Sequence, residues 1–174
     1  MIIINSLNEI KNLGKSVITI GKFDGIHKGH EVLINKTIEY SKKEKLTSIV
    51  FTFKNSPVSY FSNIITREII TEVEKMKKFK SLGVDMVIDI PFDKHMANIS
   101  AEDFVKKILI DKLNVKKLII GHDFAFARNR EGNPSVLKIL GKKYGFIVDI
   151  VQPVVVNEVR VSSTHVKDLI YAGR

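Results

Sequence analysis

The stretch VITIGKFDGIHKGH, from Val17 to His30, joins a short apolar run to a helical pattern through three glycines. The run Val17–Ile20 is β-branched and does not alternate with polar residues, which is typical of a strand buried on both faces of a parallel sheet. Gly21, Gly25 and Gly29 let the backbone turn sharply and approach a ligand closely. The helix that follows offers unpaired amide groups and the positive end of its dipole. The stretch therefore predicts a phosphate site where the strand meets the helix.

Strand and helix patterns alternate along the rest of the chain. The predicted strands are Val17–Ile20, Thr47–Phe53, Asp85–Ile90, Lys116–Ile120 and Phe146–Val156, the last with a break at Pro153. The predicted helices are His30–Lys43, a helix from the Thr71 cap to Gly83, Ser100–Asp111, Asn133–Gly145 and Ser162–Tyr171. A loop containing Pro57 follows the second strand. Parallel strands joined by helices need crossover connections, so we predict one α/β domain over residues 1–174, a Rossmann-like doubly wound parallel sheet flanked by helices. Ligands of such sheets bind beyond the carboxyl ends of the strands.

Composition narrows the class of protein. With 174 residues, of which 44% are hydrophobic, the chain is long enough for one core. The absence of cysteine excludes disulfides and thiolate metal sites and fits a reducing, cytoplasmic location. The sequence has neither a secretory signal nor an apolar run near the roughly 20 residues that span a bilayer, so we expect a soluble protein without a membrane partner. The net charge of +9 favours polyanions such as nucleotides. Nucleic acid ranks last among the ligands, because the basic residues are scattered without interleaved aromatics.

His27 and His30 are the candidate chemical groups of the opening stretch. Three residues apart at a helix start, both imidazoles can face one point and act as a phosphate clamp. In a transfer at the α-phosphorus of a nucleoside triphosphate, donors fixed there stabilise the charge that develops. Two alternatives remain open: two surface histidines in a basic loop, or a zinc pair, for which no third ligand stands nearby. The glycine spacing fits neither a dinucleotide fingerprint nor a Walker loop.

GKFDGIHKGH resembles the HxGH signature of the nucleotidyltransferase superfamily. Its GxFDGxHxGH form is that of the FMN adenylyltransferase domain of bacterial FAD synthetase, the bifunctional riboflavin kinase/FMN adenylyltransferase. Further stretches resemble this family in order and spacing over nearly the whole chain: SIVFTF, GVDMVIDIPF, SAEDFVKKIL, KKLIIGHDFAFARNREGN and VSSTHVKDLIYAG.

The resemblance implies synthesis of FAD from FMN and ATP, with Mg²⁺ accompanying the phosphates and no metal ligand from the protein. The phosphate of FMN would be the nucleophile, so catalysis would rest on alignment and charge stabilisation. The implied catalytic residues are His27, His30 and Lys167. The implied ATP-binding residues are Gly21, Phe23, Asp24, Gly25, His27, His30, Gly121, Ser162, Ser163, Thr164 and Lys167. The implied flavin-binding residues are Phe53, Asn55, Asp123, Phe124 and Arg130. For Asp24, contact with the nucleotide, contact with magnesium and a bond to loop amides all remain open.

Three positions depart from the family pattern. Ala127 replaces a glycine, FKNSP at 53–57 replaces FDPHP near the flavin side, and Lys167 replaces an arginine of the SSTxxR motif, with His165 also unusual. A nucleotidyltransferase for another phosphorylated acceptor and a non-catalytic flavin or nucleotide sensor are therefore the alternatives. The chain stops after the final motif, so we expect no riboflavin kinase domain in it, and a separate kinase domain or protein would supply FMN.

Overall fold

A computed structural model describes residues 1–174 and contains a six-stranded, fully parallel sheet. The strands of this sheet are β1 (Ile2–Ile4), β2 (Ser16–Ile20), β3 (Thr47–Phe53), β4 (Met86–Ile90), β5 (Val115–Gly121) and β6 (Ile147–Val151). They lie in the order β1-β4-β3-β2-β5-β6. From β2 the chain moves outward through β3 and β4, and it then crosses back to β5 and β6 on the other side of β2. This reversal beside β2 confirms the doubly wound, Rossmann-like architecture.

Helices cover both faces of the sheet. The helices are α1 (Lys28–Glu44), α2 (Pro57–Ser62), α3 (Glu72–Leu82), α4 (Lys94–Asn98), α5 (Ala101–Asp103, continuing as the π-helix Phe104–Ile110), α6 (Pro134–Tyr144) and α7 (Ser163–Tyr171). On one face Ile34 of α1 and Phe79 of α3 are fully buried against the sheet. On the other face α5 and α6 contribute to a larger cluster that contains Phe104 and Leu137. No helix has the length and apolar character needed to cross a bilayer.

Local sequence signals set the helix ends. Thr71 and Glu74 form the predicted capping box, in which the threonine hydroxyl accepts from the Glu74 amide and the glutamate accepts from the Thr71 amide. Asn133 caps α6 by accepting from the Val136 amide. Gly83 and Gly145 end α3 and α6 with φ of 95° and 81°, values that glycine adopts without strain.

Some predicted boundaries were wrong. The fifth strand was predicted over Phe146–Val156 with a break at Pro153; the break is present, and strand β6 already ends at Val151, because Pro153 has no amide hydrogen for a sheet ladder. The chain beyond it forms a separate antiparallel hairpin of β7 (Val155–Val156) and β8 (Val159–Arg160). The loop at Pro57 contains α2, which Ser56 caps.

Other features of the fold were not predicted from the sequence. Strand β1 has only three residues and pairs with the edge of β4, so its pattern is too short to recognise. The short helix α4 begins behind the Asp93 cap. The helix predicted over Ser100–Asp111 is present but changes from α to π geometry at Phe104.

Candidate active site

A cavity of about 280 Å³ lies beyond the carboxyl ends of β2, β5 and β6. The connections of β2 and β5 leave in opposite directions, which is the switch point where ligands of doubly wound sheets bind. The residues that line it are Ile20, Gly21, Phe23, His27, Gly29, His30, Leu33, Gly121, His122, Asp123, Phe124, Val151, Gln152, Pro153, Val154, Arg160, Val161, Ser162 and Ser163. The histidine pair and the serines that precede and begin α7 thus share one cavity.

His27 occupies the N-cap position of α1. Its Nδ1 accepts hydrogen bonds from the amides of Gly29 at 3.1 Å and His30 at 3.4 Å. Because Nδ1 accepts, the proton of the neutral ring is on Nε2. The ring therefore offers Nε2–H as its donor, with orientation fixed by the helix start.

The two imidazoles are stacked and partly buried. Their ring centroids are 3.7 Å apart, with 19° between the planes. Burial, and then the neighbouring His27, lower the pKa of His30 to about 3. Burial also lowers the pKa of His27, against a smaller opposing effect of Asp24. Both rings are consequently neutral near pH 7, and the Nδ1 of His30 is buried without a hydrogen-bond partner.

Backbone conformations in the turn between β2 and α1 depart from those of ordinary residues. Phe23, Gly25 and Ile26 have φ of 54°, 78° and 37°, all in the left-handed half of the map. A Cβ on Gly25 would lie 2.8 Å from the Ile69 side chain. A Cβ on Gly29 would lie 3.0 Å from the His27 ring. Glycine is therefore favoured at position 25 by its φ and the Ile69 contact, and at position 29 by the close approach of the His27 ring.

Asp24 connects this turn to two distant segments. Its Oδ1 accepts from the Ile69 amide at 2.7 Å, and its Oδ2 pairs with the Lys167 ammonium at 2.8 Å. Its backbone oxygen accepts from the Ser163 hydroxyl at 3.1 Å. With only 8% of its surface exposed, Asp24 bonds a loop amide and ties α7 to the turn. These contacts match the last of the three roles that the sequence left open for it.

The start of α7 forms a second wall of the cavity. Ser162 is the N-cap and accepts from the His165 amide at 3.1 Å. Ser163 lines the cavity, whereas Thr164 is exposed and lies outside the lining. Lys167 also lies outside it, since its ammonium rests on Asp24.

The third wall comes from β5 and the β7–β8 hairpin. Three predicted site residues line this wall: Gly121, Asp123 and Phe124. On this wall Arg160 pairs with Asp123. Arg160 was not predicted as a site residue, because its partner Asp123 is distant in sequence. His122 belongs to the GHDFAFARNREGN stretch of the family resemblance but was not itself predicted as a site residue, and nothing in the sequence pointed to Gln152.

Several predicted site residues lie away from this cavity. Phe53 is buried in the core against Phe51 and Phe92. Asn55 exchanges two hydrogen bonds with the backbone of Phe92, at 2.7 and 2.9 Å. Arg130 is exposed in a turn with φ of 55°. Asn55 instead borders a separate cavity of about 480 Å³ beneath the chain from Lys54 to Glu68.

The structure contains no group of three or more His, Cys, Asp or Glu side chains that could hold a metal ion. The only carboxylate on the cavity wall belongs to Asp123.

A doubly wound parallel sheet with a helix N-terminus opening into a cavity at its switch point defines the class of nucleotide-binding α/β proteins. The family model described as FAD synthetase matches residues 9–165, and the chain belongs to this family.

Individual relatives agree with this assignment. The chain is 38% identical over 169 residues to the bifunctional riboflavin kinase/FMN adenylyltransferase of Buchnera aphidicola subsp. Acyrthosiphon pisum, with 96% of this chain and 54% of the relative covered. It is 32% identical to the putative bifunctional riboflavin kinase/FMN adenylyltransferase of Geobacillus thermodenitrificans, covering 98% of this chain and 90% of that one. A crystal structure from Streptococcus pneumoniae, named as a macrolide-efflux protein, superposes with a TM-score of 0.82 at 28% identity over 97% of this chain and 56% of that chain. The chain spans about half the length of the first curated relatives it matches.

Proposed function

We propose that this chain transfers the AMP group of ATP to the phosphate of FMN, releasing FAD and pyrophosphate. The observation that carries the proposal is the shared cavity of the histidine pair and the serines at the start of α7. Membership of the FAD synthetase family and the names of the relatives support FMN as the acceptor.

In the proposed reaction, an oxygen of the FMN phosphate attacks the α-phosphorus of ATP. A bond from this oxygen to the α-phosphorus forms, the bond from the α-phosphorus to the bridging oxygen breaks, and pyrophosphate leaves with that electron pair. A phosphate oxygen is already an anion, so no strong general base is needed. The protein contributes alignment and donors where negative charge accumulates.

The histidine pair supplies donors rather than positive charge. His27 presents Nε2–H while its Nδ1 holds the first turn of α1. The Ser162 hydroxyl, which accepts from the His165 amide, keeps its proton as a further donor to the triphosphate. The Gly29 and His30 amides stay bonded to His27, and the Ser163 hydroxyl to Asp24. Arg160 is the cation on the cavity wall, and a phosphate group would compete with Asp123 for it. Lys167 would act on phosphate only after leaving Asp24, so in the present geometry it orients α7.

The acceptor is proposed to bind at the third wall of the cavity, which follows β5. Phe124 offers a ring for stacking, and Asp123 offers a carboxylate for hydrogen bonds to the flavin or its ribityl chain. Phe53, Asn55 and Arg130 are kept as flavin-binding proposals on the family resemblance, although they lie outside the main cavity.

Mg²⁺ enters this proposal as part of the ATP substrate. Magnesium usually keeps several waters and binds through substrate phosphates with one or two carboxylates. Such a site matches a cavity with a single carboxylate, that of Asp123. A riboflavin kinase activity, present in the names of the relatives, would supply FMN. A cytoplasmic location stays a prediction from the cysteine-free sequence.

Incubation of the purified chain with ATP, FMN and MgCl₂ tests the proposal, with FAD and pyrophosphate followed together. Equal amounts of both products are expected, and omission of FMN should abolish pyrophosphate release. Absence of FAD contradicts the proposal. Phosphopantetheine and a polyol phosphate serve as competing acceptors, because the FKNSP loop departs from the family pattern. Tight FMN binding without pyrophosphate release identifies a sensor instead.

A further inference from the structure

Lys22 follows the first glycine of the nucleotide turn but does not line the cavity. Its ammonium donates to the backbone oxygens of Phe53 at 3.0 Å and Lys54 at 3.2 Å. The same ammonium pairs with Glu68 at 2.5 Å. Only 21% of the Lys22 side chain is exposed, so these three partners replace most of its water. None of them belongs to the nucleotide turn itself.

These partners lie at the two ends of one loop. The β3–α3 loop, residues 54–67, leaves the sheet at Phe53 and rejoins the turn at Glu68. One ammonium therefore joins the beginning and the end of the loop, as in a compact surface loop whose ends are close. The adjacent Ile69 amide bonds to Asp24 at 2.7 Å, which fixes the far end a second time. Lys22 also accepts a hydrogen bond from the strand before the loop, because the Thr52 hydroxyl donates to the Lys22 backbone oxygen at 3.1 Å.

Between its ends, the loop has few buried apolar contacts. Val58, Ile64 and Ile65 are largely exposed, whereas the rings of Tyr60 and Phe61 pack edge-on against Phe92. Inside the loop, the hydroxyls of Ser59 and Thr66 share a hydrogen bond of 2.8 Å. Apart from these rings and the two Asn55 bonds to the Phe92 backbone, little packing stabilises the loop, so its position depends largely on the polar contacts at its ends.

The Lys22 ammonium belongs to a group of like and opposite charges. The ammonium of Lys75 is buried nearby, and burial and then the positive charge of Lys22 lower the pKa of Lys75. Glu68, Glu72 and Asp89 oppose that effect. Because Glu68 is partly exposed, its ion pair contributes less than the two charge-assisted bonds from Lys22 to the backbone oxygens.

We infer that Lys22 is a positioning residue that fixes the β3–α3 loop relative to the nucleotide turn and thereby sets affinity for the phosphorylated acceptor. This inference rests on the proposed function, in which Asn55 of the loop is proposed to bind the flavin. Lys22 touches neither the reacting phosphates nor the cavity wall, and it acts through the loop.

The Lys22→Met and Lys22→Arg variants test the inference by steady-state kinetics with both substrates. In Lys22→Met, the KM for FMN should rise about tenfold, the equivalent of one charge-assisted hydrogen bond. The KM for ATP should stay within about twofold, because the cavity wall is unchanged. Lys22→Arg keeps the donors and should restore most of the FMN affinity. Trypsin should cut Lys22→Met faster after Lys54 and Arg67.

Lys78→Met is the matched control, because Lys78 pairs with Glu31 at 2.8 Å between α3 and α1, away from the loop. It should change neither KM nor cleavage of the loop. An unchanged KM for FMN in Lys22→Met, or an equal rise in both KM values, overturns the inference. If the unaltered chain makes no FAD, the proposed function fails, and the trypsin comparison alone decides whether Lys22 fixes the loop.

Discussion

The ring of His27 has two nitrogens with separate tasks. Nδ1 caps α1, and Nε2–H remains for a ligand. The HxGH spacing predicted that both histidines face one point, because residues three apart at a helix start share a face. It could not predict the capping bond or the ring stacking, which depend on backbone angles at Phe23 and Ile26 that L-residues rarely adopt.

Substitution of His27 can separate helix capping by Nδ1 from hydrogen-bond donation by Nε2–H. The His27→Asn variant keeps a side-chain acceptor for the helix amides and should fold with nearly unchanged stability. Its rate of FAD formation should fall about 10²- to 10³-fold, the usual effect of losing one donor to developing charge. His27→Ala should lose a similar rate and also about 1 kcal/mol of stability, because the cap is gone. Single-turnover kinetics and urea unfolding measure the two effects.

The exposed His95 provides the control, and His95→Asn should behave as the unaltered chain. Equal stability losses in the two His27 variants would show that capping is not the task of Nδ1.

The low pKa of His30 makes stability depend on pH. The pKa of this histidine is about 3 in the folded chain and 6.5 for a solvated histidine, so between these values the unfolded chain binds one more proton. Stability should therefore fall as the pH drops from about 6.5 toward 3. The His30→Gln variant should show a shallower fall in urea midpoints over this window. Identical pH profiles for the two proteins would contradict the burial of His30.

Helix α7 is attached to the nucleotide turn chiefly through Asp24. Its capping serine was readable from the sequence, since serine before a helical pattern is a common N-cap. The attachment of α7 to the turn could not be read from the sequence, because Asp24 and Lys167 are far apart in the chain. The family pattern suggested a phosphate partner for the lysine.

Asp24→Asn should loosen α7 while keeping the amide acceptor for Ile69. Loss of the ion pair should cost roughly 1.5 kcal/mol, the value of a hydrogen bond to a charged group. Hydrogen exchange of the α7 amides should accelerate more than exchange in α1 or α6. The control is Asp93→Asn at the cap of α4, where asparagine caps equally well. Unchanged exchange in α7 would contradict the attachment.

The turn after β5 contains a backbone conformation that favours glycine. Ala127 has φ of 68° and ψ of 179°, and such angles cost about 1 to 3 kcal/mol for a residue with a Cβ. Ala127→Gly should raise the urea midpoint, because the relieved strain exceeds the roughly 0.4 to 1 kcal/mol that glycine adds to unfolded-state entropy. Ala125→Gly, two residues earlier at an ordinary φ, should lower it. A decrease in both variants would mean that the turn is unstrained.

Over the whole molecule, the alternation of strand and helix patterns was sufficient to predict the sheet and its winding. Crossover connections leave few topologies, and the ligand site follows from the winding. Strand β1 was missed because three residues carry no periodicity. Arg160 and Lys22 were missed because each acts through partners distant in sequence, and a linear pattern does not record such contacts.

Amide NMR spectra during titration with Mg²⁺ and a non-hydrolysable ATP analogue test the central claim, that two helix starts hold one triphosphate. The amides of Gly29 and His30 should shift together with those of Ser163 and Thr164, along one binding curve and with one Kd. If the α1 amides shift while those of α7 stay unmoved, or if the two groups follow different binding curves, the single-site account is wrong.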